Sequence, residues 1–142
     1  MNITYQEKIL EVAKSLIGTP YKYAAKPEEI PQFLDCSSFT QEVFKKIDIE
    51  IPRSTILQAA HAGTEIPLTV ELKEGDLLFF RGSKGHYNDE LFPDREIYIG
   101  HVAIYAGDGK AIHASSPKGV VEENIQSIEK DRGAIVIIKR LL

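Results

Sequence analysis

Cys36 is the only cysteine of the chain, and it follows Leu34 and Asp35. With no second cysteine it can form no internal disulfide. Asp35 is of a type that caps helices, and Phe39, Val43 and Ile47 recur at the i, i+4, i+8 spacing of an amphipathic helix. That pattern places the thiol in a first helical turn, where free backbone N–H groups and the helix dipole favour the thiolate. Two histidines, His101 and His113, fall in later strand-like runs. A thiol at a helix start and imidazoles on strands are the parts of nucleophilic thiol catalysis: a nucleophile, a base and a third group that orients the base. The same residues also fit a plainer reading, a buried structural thiol and two core histidines bonded to backbone carbonyls. His61, at a helix end, and His86, in a polar loop, read as surface residues. Cys36 and these histidines lack the two-to-four-residue spacing of zinc ligands, so neither a metal nor another cofactor is expected.

The elements that must position these groups are legible from periodicity. Tyr5 to Ile17 reads as a helix with Ile9, Val12, Ala13, Leu16 and Ile17 on one face, stopped by Gly18 and Pro20. Thr19 to Phe33 reads as loop, Cys36 to Ile47 as a second helix, and Ser54 to Ala62 as a third with Ser54 as its cap. Leu77 to Phe80 follows the turn-like Gly75-Asp76 as a short strand, and Ser83 to Arg95 reads as a polar surface loop. Ile97 to Tyr105 and Ala111 to Ser115 form a hairpin around Asp108-Gly109. Val120-Val121 and Ala134 to Leu142 are further strands. Helices followed by antiparallel strands predict an α+β fold, with helices on one side of a small sheet. With a two-residue turn at Asp108-Gly109, His113 faces Ile104, three residues from His101. Odd offsets point to opposite faces of a strand, so a bulge or another turn is needed to bring both rings together.

The bulk properties narrow the function classes. At 142 residues one domain, 1–142, is expected, able to bury a core without disulfides. The formal charge is −4 and the basic residues are scattered, which argues against a nucleic-acid partner. No stretch has the length and apolarity of a membrane span, and residues 1–10 do not read as a signal peptide. The expectation is a cytoplasmic protein, or a mature exported form, or one exported without a leader.

Six segments in order resemble the NlpC-type cysteine peptidases, a papain-like family acting on bacterial cell-wall peptides. They are Gly18-Thr19-Pro20-Tyr21; Leu34 to Phe39; Ile51-Pro52-Arg53-Ser54 with Gln58 and Gly63; Glu74 to Phe80; Gly100 to Tyr105; and Ala111-Ile112-His113-Ala114. The resemblance runs from about Gly18 to Val121. It implies a papain-like α+β core with Cys36 as nucleophile, His101 as its base and His113 as the orienting third group. It implies Tyr21 beside the nucleophile in the oxyanion site. Asp35 and Ser37 would contact the amine and acyl group of the substrate, and Ser54 is a further contact. Two departures stand out: Ser38 where the family usually has glycine, and Ala24-Ala25 where it often has paired glycines. The segment from Arg81 to Gly100 is longer than the family's minimum and could wall the cleft. The implied function is hydrolysis of peptidoglycan stem peptides or muropeptide fragments at γ-D-glutamyl bonds to a diamino acid. The alternatives are acyl transfer through the same thioester, as in a transpeptidase, and a catalytically silent peptide-binding module on the same fold.

Overall fold

The hydroxyl of Thr4 accepts the N–H of Glu7 and so starts α1 (Tyr5–Ser15), which buries Ile9, Leu10 and Ala13. Asp35 starts α2 (Cys36–Lys45) and Ser54 starts α3 (Thr55–His61) in the same way. The expected strands follow as β2 (Leu77–Phe80), β3 (His101–Gly107), β4 (Lys110–Ser115), β5 (Gly119–Asn124) and β6 (Ile135–Arg140). Two elements were not expected: β1 (Thr64–Ile66) and α4 (Ile125–Arg132). β1 has three residues, too few to show alternation, and α4 carries only Ile125 and Ile128 as an apolar face. The computed structural model describes residues 4–82, 85, 88 and 90–141; His86, Ser83, Tyr87 and Asp89 of the polar loop lie outside the described residues. His61 is exposed.

The six strands form one sheet in the order β1-β6-β2-β3-β4-β5, with every neighbouring pair antiparallel. One face carries the main core, where Phe39, Val43 and Phe44 of α2 meet Phe79, Val102, Ile104 and Ile112. Each such fully buried side chain contributes roughly 1.5–3 kcal/mol. α4 closes the opposite face, where Ile128 packs with Leu78, Phe80, Ala103 and Ala111. The helices therefore do not all lie on one side of the sheet. Asp76, from the Gly75-Asp76 turn, is buried and takes two hydrogen bonds from Arg140, both of 2.8 Å, which pin β2 to β6.

The β3–β4 hairpin departs from the simple register. Gly107 pairs with Lys110, as a two-residue Asp108-Gly109 turn requires, but Tyr105 then pairs with Ala111 and Ile104 with Ile112. Ala106 is the extra residue of a bulge. The slip brings His113 level with Ala103 instead of Ile104. Ala103 is two residues from His101, so both imidazoles share one face of the sheet.

The loop bearing Tyr21 is fastened to β5. Val120 donates its N–H to Thr19 O at 2.9 Å, and Gly18 donates to Val120 O at 2.9 Å. Gly119 makes this approach feasible: its φ is +82°, and a Cβ there would lie 2.5 Å from Thr19 O. Gly119→Ala is expected to lower stability by about 2 kcal/mol, read as a fall in the urea midpoint at unchanged m-value.

Candidate active site

The start of α2 is held by a reciprocal cap. Asp35 Oδ1 accepts the Ser38 N–H at 2.8 Å, and Ser38 Oγ accepts the Asp35 N–H at 2.8 Å. The serine that stands in place of the family's glycine thus supplies half of the cap. Cys36 is the first residue of the helix, and among the described residues its N–H has no acceptor. Its Sγ lies 3.4 Å from Thr55 Oγ1 and takes the N–H of Val102, the residue after His101. The β3–β4 pairing stops at Ile104 and Ile112, which leaves the Val102 N–H open to the thiol. Among the described residues no hydrogen bond joins Cys36 directly to His101.

Behind the thiol the two histidines form a pair. His101 Nε2 and His113 Nδ1 are 2.7 Å apart, with the rings edge-on, and both residues are buried. His113 Nε2 meets Glu123 Oε1 at 2.9 Å, and Glu123 Oε2 receives Lys118 Nζ at 3.1 Å. Arg132 of α4 donates to Ser115 Oγ at 2.9 Å, on the same strand face as His113.

Burial dominates the acid–base state. It pushes the Cys36 thiol above its ordinary value, against the hydrogen bonds from Thr55 and Val102. Burial, then the charges of His113 and Arg132, put His101 well below the usual imidazole value. Burial also lowers His113, although Glu123 opposes it. Both directions favour the uncharged forms, thiol and imidazole, at a sulfur that is half-buried at the cleft. The pull of the helix start toward thiolate is thus opposed by desolvation at the sulfur.

Tyr21 reaches the site through a bridge to Leu34, two residues before the thiol. Its hydroxyl has no hydrogen-bond partner among the described residues. Burial, then the proximity of Cys36 and Asp35, keeps it protonated as a donor. Asp35, expected to meet a substrate amine or acyl group, borders the cleft and already has protein partners. Its Oδ2 accepts Arg53 Nη2 at 2.7 Å and the Ala25 N–H at 3.2 Å, while Oδ1 serves the cap. Burial alone would raise this carboxyl, but Arg53 and Ser38 hold it below its ordinary value. Ser37 Oγ accepts Arg53 Nη1 at 2.8 Å. Ser54 caps α3 by accepting the Leu57 N–H at 3.3 Å, and it borders the cleft.

Sequence reasoning gave no role to five groups that the structure brings here: Arg53, Thr55, Gln58, Glu123 and Arg132. Arg53 and Gln58 belong to the motif that contains Ser54, and Thr55 follows it directly. Gln58 is buried, accepting from Thr40 Oγ1 at 2.7 Å and donating to Ser37 O and Pro52 O, so it ties α3 to α2. Glu123 and Arg132 follow the last motif of the series, and no local pattern marks them.

Cys36, Tyr21, Ala24, Arg53, Thr55 and Gly100 border an open cleft of about 1060 Å³. Ala24 holds a left-handed φ of +52°, the conformation a glycine there would adopt without strain. From the long segment before β3 only Ile99 and Gly100 line the cleft, among the described residues; Arg95 is instead clamped by Glu65 of β1. Among the described residues no group of three or more His, Cys, Asp or Glu converges as a metal site would. Among them, too, no helix is long and apolar enough to cross a membrane.

Comparison with known proteins places this arrangement. The chain is 34% identical over 140 residues to the gamma-DL-glutamyl hydrolase of Bacillus subtilis (strain 168), covering 97% of this chain and 30% of that protein. It is 31% identical over 128 residues to the protein named "Probable endopeptidase NlpC" of Escherichia coli (strain K12), covering 89% of this chain and 73% of the relative. The crystal structure of the NlpC/p60 domain of the peptidoglycan hydrolase SagA superimposes with a TM-score of 0.72 at 30% identity, covering 96% of this chain and 99% of that one. The model of the NlpC/P60 family matches residues 18–134, most of the chain, and the chain belongs to that family.

Proposed function

We propose that the chain is a cysteine peptidase or amidase of peptidoglycan-derived peptides, working through Cys36, His101 and His113. The observation that carries this reading is the hydrogen-bonded histidine pair on one face of the sheet, with the thiol seated on the backbone N–H next to His101. His101 takes the thiol proton as Sγ attacks the amide carbon. The oxyanion that forms has two unengaged donors nearby, the Cys36 N–H and the Tyr21 hydroxyl. His101 then returns the proton to the leaving amine, and water hydrolyses the thioester. The same thioester would acylate an amine if one arrived first. The name of the B. subtilis relative specifies a γ-glutamyl bond. The name supports the γ-glutamyl side alone; the diamino acid on the other side of the bond rests on the family resemblance, with Ser37, Ser54 and the Asp35–Arg53 pair at the cleft wall contacting the acyl side.

Incubation with defined muropeptides, read by mass spectrometry, is expected to show one new C-terminal γ-D-glutamyl product and a released diamino-acid fragment. A product joined to an added amine would instead mark a transferase, and no product at all would sink the enzymatic reading. Cys36→Ala and His101→Ala are each expected to abolish turnover in the folded protein, while His113→Ala leaves residual activity. Tyr21→Phe is expected to cost about 10²–10³ in kcat, the usual penalty for one oxyanion donor.

The acid–base state gives a separate check. The active form needs a neutral His101, and burial favours the neutral form. Activity should therefore persist as pH falls, with the acid limb of kcat/KM below the roughly 6.5 of a free imidazole. Alkylation of Cys36 by iodoacetamide should rise with pH through a midpoint above the roughly 8.5 of a free thiol. A plateau already reached at pH 7 would show that the helix start outweighs burial.

A further inference from the structure

Glu123 lies one hydrogen bond beyond the histidine pair, and its ionisation state constrains every proton in that pair. Its Oε1 is 2.9 Å from His113 Nε2. Burial alone would raise this carboxyl, but His113 and Lys118 hold it below its ordinary value, so the carboxylate is the resident form. A carboxylate can only accept, so His113 Nε2 carries the proton. A neutral His113 protonated there has its lone pair on Nδ1. That lone pair, 2.7 Å from His101 Nε2, accepts, so His101 Nε2 also carries its proton. His101 is left with a lone pair on Nδ1, the ring nitrogen its partner does not use.

We propose that Glu123 is a positioning residue that sets the tautomers of both imidazoles through His113, so that His101 meets the thiol as a base on Nδ1. The inference rests on the Cys36–His101–His113 reading above. In the first step the proton leaves Cys36 Sγ for His101 Nδ1 as Sγ bonds to the carbonyl carbon. His101 becomes imidazolium and still donates through Nε2 to His113, with the Glu123 charge two hydrogen bonds away. His113 keeps its proton throughout. When the leaving amine takes the proton from Nδ1, the pair returns to its starting state.

Without an acceptor at position 123, neutral His113 is free to carry its proton on Nδ1. It then presents a donor to His101 Nε2, which must accept. The His101 proton moves to Nδ1, and no base remains for the thiol. The charged and titratable groups facing His113 are His101 of β3, Glu123 of β5, Lys118 in the β4–β5 turn and Arg132 of α4. Among these, Glu123 is the group that favours positive charge on the pair, whereas Lys118 and Arg132 oppose it.

The test compares Glu123→Ala and Glu123→Gln with the parent protein, using steady-state kinetics across pH and ¹⁵N spectra of the histidine rings. Glu123→Ala is expected to lower kcat about 10- to 100-fold, by analogy with carboxylates that orient metal-bound imidazoles, with KM changing far less. Its His113 spectrum should move from the Nε2–H tautomer toward a mixture. Glu123→Gln keeps an acceptor oxygen without the charge, so it should retain the tautomer and recover part of kcat. Both variants should move the acid limb of kcat/KM to lower pH, because the charge favouring imidazolium is gone. A Glu123→Ala protein with parental kcat, acid limb and His113 spectrum overturns the inference. If that variant fails to fold, an unmoved acid limb in Glu123→Gln overturns it. Cys36→Ala and His101→Ala in the same assay keep the two failures apart. If both are inactive while the Glu123 variants match the parent, the tautomer inference alone falls. Turnover retained by either of the first two overturns the triad, and this inference with it.

Discussion

The β3–β4 ladder slips by one residue at Ala106, and the placement of both histidines depends on that slip. In the unslipped register His101 and His113 point to opposite faces of the sheet, and no hydrogen bond can join them. The bulge turns His113 onto the face of His101. The ladder also ends at Ile104 and Ile112, which leaves the Val102 N–H free for a sulfur that arrives from the α2 side. The thiol and the imidazole pair thus come from opposite faces of one sheet and meet where two of its strands part. A bulge beside a functional site is a common way to re-aim a side chain without changing the topology.

A second constraint holds the thiol's side of the cleft. Asp35 caps α2 with one oxygen and binds Arg53 with the other, while Arg53 also binds Ser37 and the Ala25 carbonyl. Gln58 adds bonds from α3 to Ser37 and Pro52. The first turn of α2, the Ala24–Ala25 loop and the entry to α3 are therefore one hydrogen-bonded unit around Cys36. Its charges are matched internally, so Asp35 faces a substrate as half of an ion pair rather than as a free anion. Such partly buried, charge-assisted hydrogen bonds fix geometry as well as energy.

The acid–base character of the site follows from competition between a local and a non-local effect. The helix start and the Val102 N–H favour thiolate, and burial by the surrounding core opposes it. Burial also keeps both imidazoles neutral in the resting protein. In the proposed reaction proton transfer would then accompany bond formation, so the orientation of each ring nitrogen matters.

Local chemistry carried much of this protein. The caps at Asp35 and Ser54, the Phe39–Val43 stripe, the apolar Leu77–Phe80 run and the Asp108-Gly109 turn are each readable from a few adjacent residues. They place a thiol at a helix start and two histidines on late strands without reference to the rest of the chain. Family resemblance then assigned roles that spacing alone left open between a catalytic and a structural thiol. The sequence did not decide which face the histidines share, because register depends on a bulge whose Ala106 looks like any strand residue. Nor did it give a role to Arg53, Glu123 or Arg132, whose meaning lies in partners 18, 10 and 17 residues away. Short polar α4 was hidden because its two isoleucines gain an apolar face only against the sheet. Helix starts, turns and periodicity are properties of neighbouring residues, and the sequence determined them. Strand register, ion-pair partners and desolvation belong to contacts between distant segments, and only the packed tertiary structure decided those.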